Sequence, residues 1–435
     1  MRKNKELMEF FHLKRTTKGL KRIHKKRHKK LKYSNNRFIG SRQKHLKYFY
    51  ESSPERKLLF NRKSKKNREL IISIPSTFSL YENPNDVLDV ISKIASVQKD
   101  KTVKSIFIDH SKCKKNGLGS EVLLASVVSC LDKVKCNSGM RFNVRGQLPE
   151  EDALARMISA IGVVKDVLKK DIVLEKDKNA KTLVFRSESI PKEKIDNLGG
   201  DKKNQTCASF LEYFNNCLFK ADRVLSGTGK QSLNEYTGEI LDNAARHSGT
   251  NMWHIYMYMD YTNDDILNVH IVVYSLGRSI YETFLLKKEV DEVWSQVENY
   301  IAAHKTKFDE SDLVTVMAMQ QTITSKKDED RTGGLGTVNF INFFETVNQE
   351  CHDGFLKPQM TIISGQTQLK FDGKIEMYEN EDGINLISFN DSGSLEDPPS
   401  NKYVKNLGDR KFPGVLVSIK FPIKNDSEMT NDNRN

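Results

Sequence analysis

The positive charge of this chain is concentrated near its N-terminal end. Residues 1–70 contain 25 Lys and Arg against 5 Asp and Glu, whereas the rest of the chain contains 45 against 52. A segment of such charge density repels itself, so we expect a basic, partly disordered arm at 1–68 and a mildly acidic folded body after it. The overall net charge of +13 describes neither part.

The arm interleaves cations with aromatic side chains. Its densest run, Lys14–Lys32, reads KRTTKGLKRIHKKRHKKLK and is followed by aromatic residues at Tyr33, Phe38, Tyr48, Phe49 and Tyr50. Dense cations bind polyanions by releasing counterions, and aromatic rings stack on unpaired bases. Residues 1–66 are therefore predicted to bind nucleic acid. The alternatives are an acidic protein or lipid partner, a nuclear-localisation signal at Lys25–Lys30, and a solvated tail.

Length and composition narrow the class of protein. A chain of 435 residues predicts two or three domains with a proper core. No apolar run approaches the roughly 18 residues that cross a bilayer, and the charged start is unlike a secretory signal. The six cysteines have no C-x-x-C spacing, so they predict neither disulfides nor a zinc site, and we expect a cytoplasmic protein.

Residues 69–185 alternate between strand and helix patterns, which predicts a smaller α/β domain with a mostly parallel sheet. Strands are expected at Glu69–Pro75, Val103–Asp109 and Met140–Arg145, and helices at Asp86–Ser96, Glu121–Val134 and around Glu150–Ile161.

Two short motifs precede the apolar helix of this region, D-x-S at Asp109–Ser111 and GLG at Gly117–Gly119. In that order they resemble the STAS domains of anti-sigma-factor antagonists. The resemblance implies a phosphoacceptor serine just before the glycine, where this chain has Asn116. Ser111 or Ser120 could substitute, but Ser120 directly precedes the predicted helix and is expected to cap it.

A polar linker at 186–205 leads to a second region at 206–424 and a disordered tail at 425–435. In the predicted helix Leu233–Arg246, Glu239 and Asn243 are four residues apart and share one face. Such a pair can hold a hydrated Mg²⁺ through the amide oxygen and position a water through the carboxylate. It is equally typical of an exposed polar face on an amphipathic helix.

The segments around this helix bear on the choice between a ligand-binding pair and an exposed polar face. Glu239–Gly249 (EILDNAARHSG) resembles the N box of the GHKL, or Bergerat-fold, superfamily of histidine-kinase-like ATPases, which includes gyrase B subunits and anti-sigma-factor serine kinases. Further matches follow in the family's order: strands Met252–Met259 and Leu267–Tyr274, the glycine box Arg331–Thr337 (RTGGLGT), and a closing strand Gly414–Pro422. The resemblance implies an α/β (α+β) sandwich with a Bergerat-type mixed sheet covered by helices, preceded by the STAS-like domain and the basic arm.

The resemblance also implies ATP and Mg²⁺ as cofactors. Glu239 would be the catalytic base and Asn243 the Mg²⁺ ligand. His247 is expected to be a packed residue at the helix end, and Lys326 and Lys327 to be lid residues. Glycines let backbone N–H groups approach phosphates at a helix N-terminus. The nucleotide-binding residues implied are Asn243, Ser275, Gly277, Arg331, Thr332, Gly334, Leu335, Gly336 and Thr337.

The first glycine box departs from the family pattern. Ser275 stands where the family has an aspartate that receives the adenine amino group, and Ser279 stands where it has the second glycine. A neutral hydroxyl brings no charge to the base, so altered nucleotide recognition is expected. Three outcomes stay open at this point: ATP bound with the help of water, a different nucleotide, or a degenerate pocket that serves as an interaction scaffold.

Two functions follow from these patterns. The first is an ATP-binding regulatory switch that hydrolyses ATP or phosphorylates a serine of a partner protein. The alternative is a nucleic-acid-binding or protein-interaction module with a degenerate nucleotide pocket.

Overall fold

The structure is a computed structural model. It describes residues 9–12, 35–54, 68–163, 167, 182–189, 202–219, 224–250, 252–262, 266–286, 293–321, 341–345, 357–375, 377–381 and 383–424. The chain divides into two compact units, Met1–Ala180 and Lys181–Asn435, and both combine helices with strands.

The first unit has a four-stranded sheet whose core is parallel. Its order is β1-β6-β4-β2, in which β2, β4 and β6 run parallel and β1 is antiparallel to β6. A separate two-stranded ladder pairs β3 with β5. The strands are β1 (Glu9–His12), β2 (Arg68–Ser73), β3 (Thr77–Phe78), β4 (Val103–Asp109), β5 (Lys115–Asn116) and β6 (Asn143–Gln147).

Alternation along these strands separates the two faces of the sheet. Ile72, Ile106 and Val144 are buried, whereas Ile71 on the opposite face is 59% exposed. The helices of this unit are α1 (Asn35–Tyr50), α2 (Pro84–Ser96), α3 (Leu118–Asn137) and α4 (Asp152–Ile161), with a short 3₁₀ turn at Val97–Lys99.

The strands and helices predicted for this region are present in the structure, although some of their bounds differ. Strand β4 has the predicted bounds, and α3 extends beyond the predicted Glu121–Val134 by three residues at each end. The third strand begins at Asn143, three residues later than predicted. Met140 instead closes the end of α3 by donating its N–H to the Lys135 carbonyl.

Helix α1 shows that the folded unit begins earlier than the predicted boundary at residue 69. Leu46 and Phe49 are fully buried, and α1 packs against both α2 and α3. Nearby, Ser92 donates a hydrogen bond to the Tyr50 carbonyl at 3.1 Å. The C-terminal part of the basic arm is therefore an integral helix of the first unit, because apolar residues spaced along it supply a buried face.

The second unit is built on a seven-stranded sheet of order β14-β11-β10-β15-β9-β8-β7. Every neighbouring pair in it is antiparallel, which differs from the mixed sheet that the resemblance implies. The strands are β7 (Thr182–Glu188), β8 (His254–Asp260), β9 (Ile266–Leu276), β10 (Gln359–Gly365), β11 (Thr367–Phe371), β14 (Val404–Asn406) and β15 (Phe412–Lys424), with a separate hairpin of β12 (Tyr378–Glu379) and β13 (Asn385–Leu386).

Strand β15 lies at the centre of this sheet. It pairs with β9 from Gly414 opposite Leu276 to Lys424 opposite Ile266, which confirms the predicted closing strand and lengthens it. Strand β7 pairs along its whole length with β8. The segment 182–188 therefore belongs to the second sheet rather than to the predicted first domain and linker.

Helices pack on one face of the second sheet, and their shared apolar core includes Phe210, Leu241, Val273 and Ile419. They are α5 (Lys202–Phe219), α6 (Gly227–His247), α7 (Ile280–Leu285), α8 (Val293–His304) and α9 (Glu310–Met317). Helical residues 341–345 contribute the buried Ile341 and Phe344 to the same core. Among the described residues, none of the helices combines the length and apolar character that crossing a bilayer requires.

Candidate functional site around helix α6

Helix α6 carries the two predicted catalytic and metal-binding residues. Its N-cap is Ser226, whose hydroxyl accepts a hydrogen bond from the Gly229 N–H at 2.9 Å. Leu233, Thr237 and Leu241 form its buried face, and the Thr237 hydroxyl donates to the Leu233 carbonyl at 2.7 Å. Ala244 belongs to the same core, and Ile240 packs against it.

Glu239 and Asn243 are both half-buried on this helix. Neither side chain makes a hydrogen bond or ion pair with a described residue. The neighbouring Asp242 differs, because its carboxylate binds Lys203 of α5 at 2.9 Å. The helix thus commits Asp242 to an internal contact and leaves the Glu239 and Asn243 pair available for a ligand.

The turn after β9 joins the C-terminal end of α6. Gly277 has a φ of 142°, and a Cβ there would lie 2.0 Å from the Ser248 carbonyl oxygen. That carbonyl accepts the Arg278 N–H at 3.0 Å, and the Thr250 hydroxyl donates to the Leu276 carbonyl at 2.7 Å. Only glycine allows this approach, so the structure places the predicted Gly277 beside the end of α6.

Ser275 is 1% exposed, and its hydroxyl has no hydrogen-bond partner among the described residues. It follows Ile271 and Val273 at every second residue of β9, so all three face the helix layer. A buried hydroxyl without a partner costs free energy in the absence of a ligand or water. Ser275 is therefore a polar group still available for hydrogen bonding at the edge of an apolar surface.

Ser279 has a structural task that sequence reasoning missed. It is the N-cap of α7 and forms a capping box with Glu282, in which the Glu282 N–H donates to the Ser279 hydroxyl at 3.1 Å. Gly365 provides the space, since a Cβ at Gly365 would lie 3.1 Å from the Ser279 Cβ. The serine at this position thus starts a helix, and its added bulk is matched by a glycine on β10.

A narrow apolar cavity lies between α6 and the sheet, with room for about 20 Å³. That space accommodates roughly one water molecule and is too small for a nucleobase. Its lining residues are Phe210, Leu233, Tyr236, Thr237, Ile240, Ile255, Ile271, Val273, Phe343 and Ile419.

The second glycine box lies outside the described residues. This holds for Arg331, Thr332, Gly334, Leu335, Gly336 and Thr337, for the predicted lid residues Lys326 and Lys327, and for the side chain of His247. Phe343, soon after the box in the chain, contacts the ring of Tyr236 with the centroids 5.4 Å apart.

In the first unit, the predicted capping role of Ser120 is wrong. The N-cap of α3 is Gly117, and Ser120 lies in the first helical turn, fully buried, with its hydroxyl unpaired. Ser111 closes an Asx-type turn, because its N–H donates a hydrogen bond to the Asp109 carboxylate at 3.0 Å.

Next to Ser120 is a buried polar cluster that the sequence did not reveal. Glu121 and His110 are both fully buried, and the His110 Nε2 lies 2.9 Å from the Glu121 Oε1. Burial and the nearby Glu121 raise the pKa of the Cys113 thiol to about 12, so this thiol stays protonated at neutral pH. In the sequence, the only sign of this buried cluster was a run of polar residues directly after an apolar strand.

The aromatic residues at the end of the basic arm serve the fold. Phe49 is a core residue, and the Lys99 ammonium lies 3.5 Å from the centroid of the Tyr50 ring. Phe49 is therefore not available to stack on a base, contrary to the prediction. Cys113, Cys130, Cys136 and Cys207 form no disulfide among the described residues. Across the described ranges, no group of three or more His, Cys, Asp or Glu side chains could hold a metal.

Comparisons with known protein families, with curated proteins and with solved structures found no match to this chain.

Proposed function

We propose that this protein is an ATP-binding regulatory switch of the histidine-kinase-like ATPase superfamily. Its nucleotide site would use Glu239 and Asn243 on α6, Ser275 and Gly277 at the end of β9, and the glycine box from Arg331 to Thr337.

One observation carries this proposal. Tyr236, Glu239 and Asn243 recur every three to four residues and so form one stripe along α6. Glu239 and Asn243 have no partner among the described residues, and Tyr236 touches Phe343. Phe343 follows the glycine box by six residues in the chain, so this contact packs the helical residues after the box against the stripe.

The described residues fit the chemistry of such a site. The amide oxygen of Asn243 is a hard ligand suited to Mg²⁺, and the Glu239 carboxylate can orient a water for attack. The turn at Gly277 fixes the end of β9 to the end of α6, which holds Ser275 and Asn243 on neighbouring elements. When bound, MgATP supplies the phosphoryl group for hydrolysis or for transfer to a partner serine.

Calorimetry on the full-length protein tests the proposal directly. Wild type is expected to bind ATP in the presence of Mg²⁺, and Asn243→Ala should lose at least about tenfold in affinity because a metal ligand is removed. Glu239→Gln should bind ATP with little change and lose any hydrolysis. Wild-type protein that shows no Mg²⁺-dependent ATP binding would rule the proposal out.

The matched control is Asp242→Asn. It removes a carboxylate from the same helix turn, but from a side chain that pairs with Lys203. It should leave ATP binding unchanged, so a similar loss in both variants would point to disruption of α6 rather than to a site.

A second function, polyanion binding, is favoured by α1. This helix is fixed to the first unit through Leu46 and Phe49, and it exposes Lys44 and Lys47 to solvent. It follows the cationic run Lys14–Lys32 in the chain. A rigid helix that continues a basic segment can present its cations to phosphates at a lower entropic cost than a loose chain.

Charge removal on α1 tests this function without unfolding the helix. Lys44→Gln combined with Lys47→Gln should lower the slope of log affinity for single-stranded RNA or DNA against log salt by about 1 to 2. The control pair Lys305→Gln and Lys307→Gln removes exposed cations from the second unit. Equal effects of both pairs would show a general charge effect and no interface on α1.

A further inference from the structure

The buried cluster of the first unit lies where parallel strands end. His110 directly follows β4, Asn116 lies on β5, and Ser120 and Glu121 are in the first turn of α3. The carboxyl ends of parallel strands are the usual place for ligands in open α/β sheets. His110, Ser120 and Glu121 are all fully buried.

The hydrogen bonds of this cluster are unevenly distributed. The Glu121 Oε1 accepts from the Asn116 Nδ2 at 2.7 Å and from the His110 Nε2 at 2.9 Å. The Glu121 Oε2, the Asn116 Oδ1 and the Ser120 hydroxyl have no hydrogen-bond partner in the part of the chain that the structure describes. The first two of these oxygens belong to the side chains joined by the 2.7 Å hydrogen bond, and the third belongs to the residue directly before Glu121.

The local backbone and side-chain N–H donors described below are already used, which leaves the Ser120 hydroxyl as the donor and argues against an anion. The Gly117 N–H donates to the Phe78 carbonyl, and the Ser120 and Glu121 N–H groups both donate to the Gly117 carbonyl. The side-chain N–H groups of Asn116 and His110 that face the cluster serve the Glu121 carboxylate. The cluster therefore offers acceptors, and its missing partner is a positive charge or a donor.

We propose that this cluster binds a single alkali-metal ion, Na⁺ or K⁺, through the Glu121 Oε2, the Asn116 Oδ1 and the Ser120 Oγ. Oxygen ligands suit hard cations. One carboxylate balances one positive charge, and the described residues contain no His, Cys, Asp and Glu group of the kind that holds transition metals.

Gly162 leaves room beside the proposed ligand. A Cβ at Gly162 would lie 2.5 Å from the Ile158 carbonyl oxygen and 3.3 Å from the Glu121 Oε2, so a larger residue would clash with the end of α4 and crowd this oxygen. The ion would neutralise the buried carboxylate and tie the loop after β4 to the first turn of α3.

Hydrogen exchange on the full-length protein tests the proposal. Amide exchange of residues 110–121 should be about tenfold slower in NaCl or KCl than in choline chloride at the same ionic strength, because an ion that binds the folded state suppresses local opening. Ser120→Ala should reduce this difference to about threefold or less. The variant should fold, since it removes a hydroxyl that bonds to none of the described residues.

Glu82→Gln is the control for charge, because Glu82 pairs with Lys115 at the surface of the same unit. It should leave the cation effect unchanged. Equal exchange in all three salts would overturn the proposal and indicate that water fills the site. Protection by MgCl₂ alone would overturn the assignment to an alkali ion. If Ser120→Ala exchanged more slowly than wild type in every salt, the Ser120 hydroxyl would be an unpaired group and not an ion ligand.

Discussion

At the scale of single residues, the turn after β9 depends on a missing side chain. Gly277 combines a positive φ with close approach of the Ser248 carbonyl. We expect Gly277→Ala to lower the free energy of unfolding of the second unit by about 2 kcal/mol or more, since both strain and a steric clash are introduced. Urea unfolding followed by the fluorescence of Trp253 and Trp294 measures it.

Gly227→Ala is the matched control for this substitution. Gly227 is the first residue of α6, and no atom lies within 4 Å of where its Cβ would be. This change should be neutral or slightly stabilising. A loss as large as that of Gly277→Ala would contradict the steric explanation.

Ser275 sets the chemistry available to a base at the proposed nucleotide site. A hydroxyl both donates and accepts, so it does not distinguish an amino group from a carbonyl, whereas a carboxylate only accepts. Ser275→Asp should therefore raise the preference for ATP over GTP by about tenfold in competition binding. Ser364→Asp, on β10, tests for a non-specific effect of charge. Unchanged preference in Ser275→Asp would mean that this residue does not face the base.

At the scale of elements, α1 is the largest difference between sequence and structure. Phe49→Ala removes a fully buried ring and should destabilise the first unit by about 3–5 kcal/mol. Lys47→Ala, on the exposed side of the same helix, should cost less than about 0.5 kcal/mol. Far-ultraviolet circular dichroism during denaturation follows both. A small loss for Phe49→Ala would mean that α1 is not part of the core.

This result also changes how the basic arm should be tested. Deleting residues 1–66 would remove β1 and α1 together with the cations, so lost binding could reflect an unfolded first unit. Substitution of individual lysines on the exposed face avoids that ambiguity.

At the scale of the whole molecule, polyanion binding should depend on the basic N-terminal segment and not on the mildly acidic remainder of the chain. The segment 13–32 contains eleven Lys and Arg and no acidic residue. Changing all eleven to Gln lowers the net charge from +13 to about +2 and should sharply reduce retention on heparin and its dependence on salt. The substitution should leave the unfolding of the second unit unchanged. Full retention would assign polyanion binding to the body of the protein.

Much of the fold could be predicted because it follows from local patterns. The alternation of apolar residues predicted β4 with its observed bounds, and helical spacing predicted α2, α3 and α6. The bounds of other elements shifted by a few residues, since caps and turns depend on contacts such as that between Met140 and Lys135. For the candidate site, spacing on one helix face indicated Glu239 and Asn243, whereas the resemblance to the first glycine box implied Gly277.

What the sequence by itself determined is the periodicity of the elements, the segregation of charge and the identity of the polar pair on α6. Only the tertiary structure decided that Phe49 is a core residue and that β7 joins the second sheet. It alone decided that Ser279 caps a helix opposite Gly365. It also decided that Glu121, Asn116 and Ser120 each carry a buried oxygen without a partner among the described residues. The physical reason is that periodicity is written in neighbouring residues, whereas burial and hydrogen-bond satisfaction depend on groups that are distant in the chain and become neighbours only after folding.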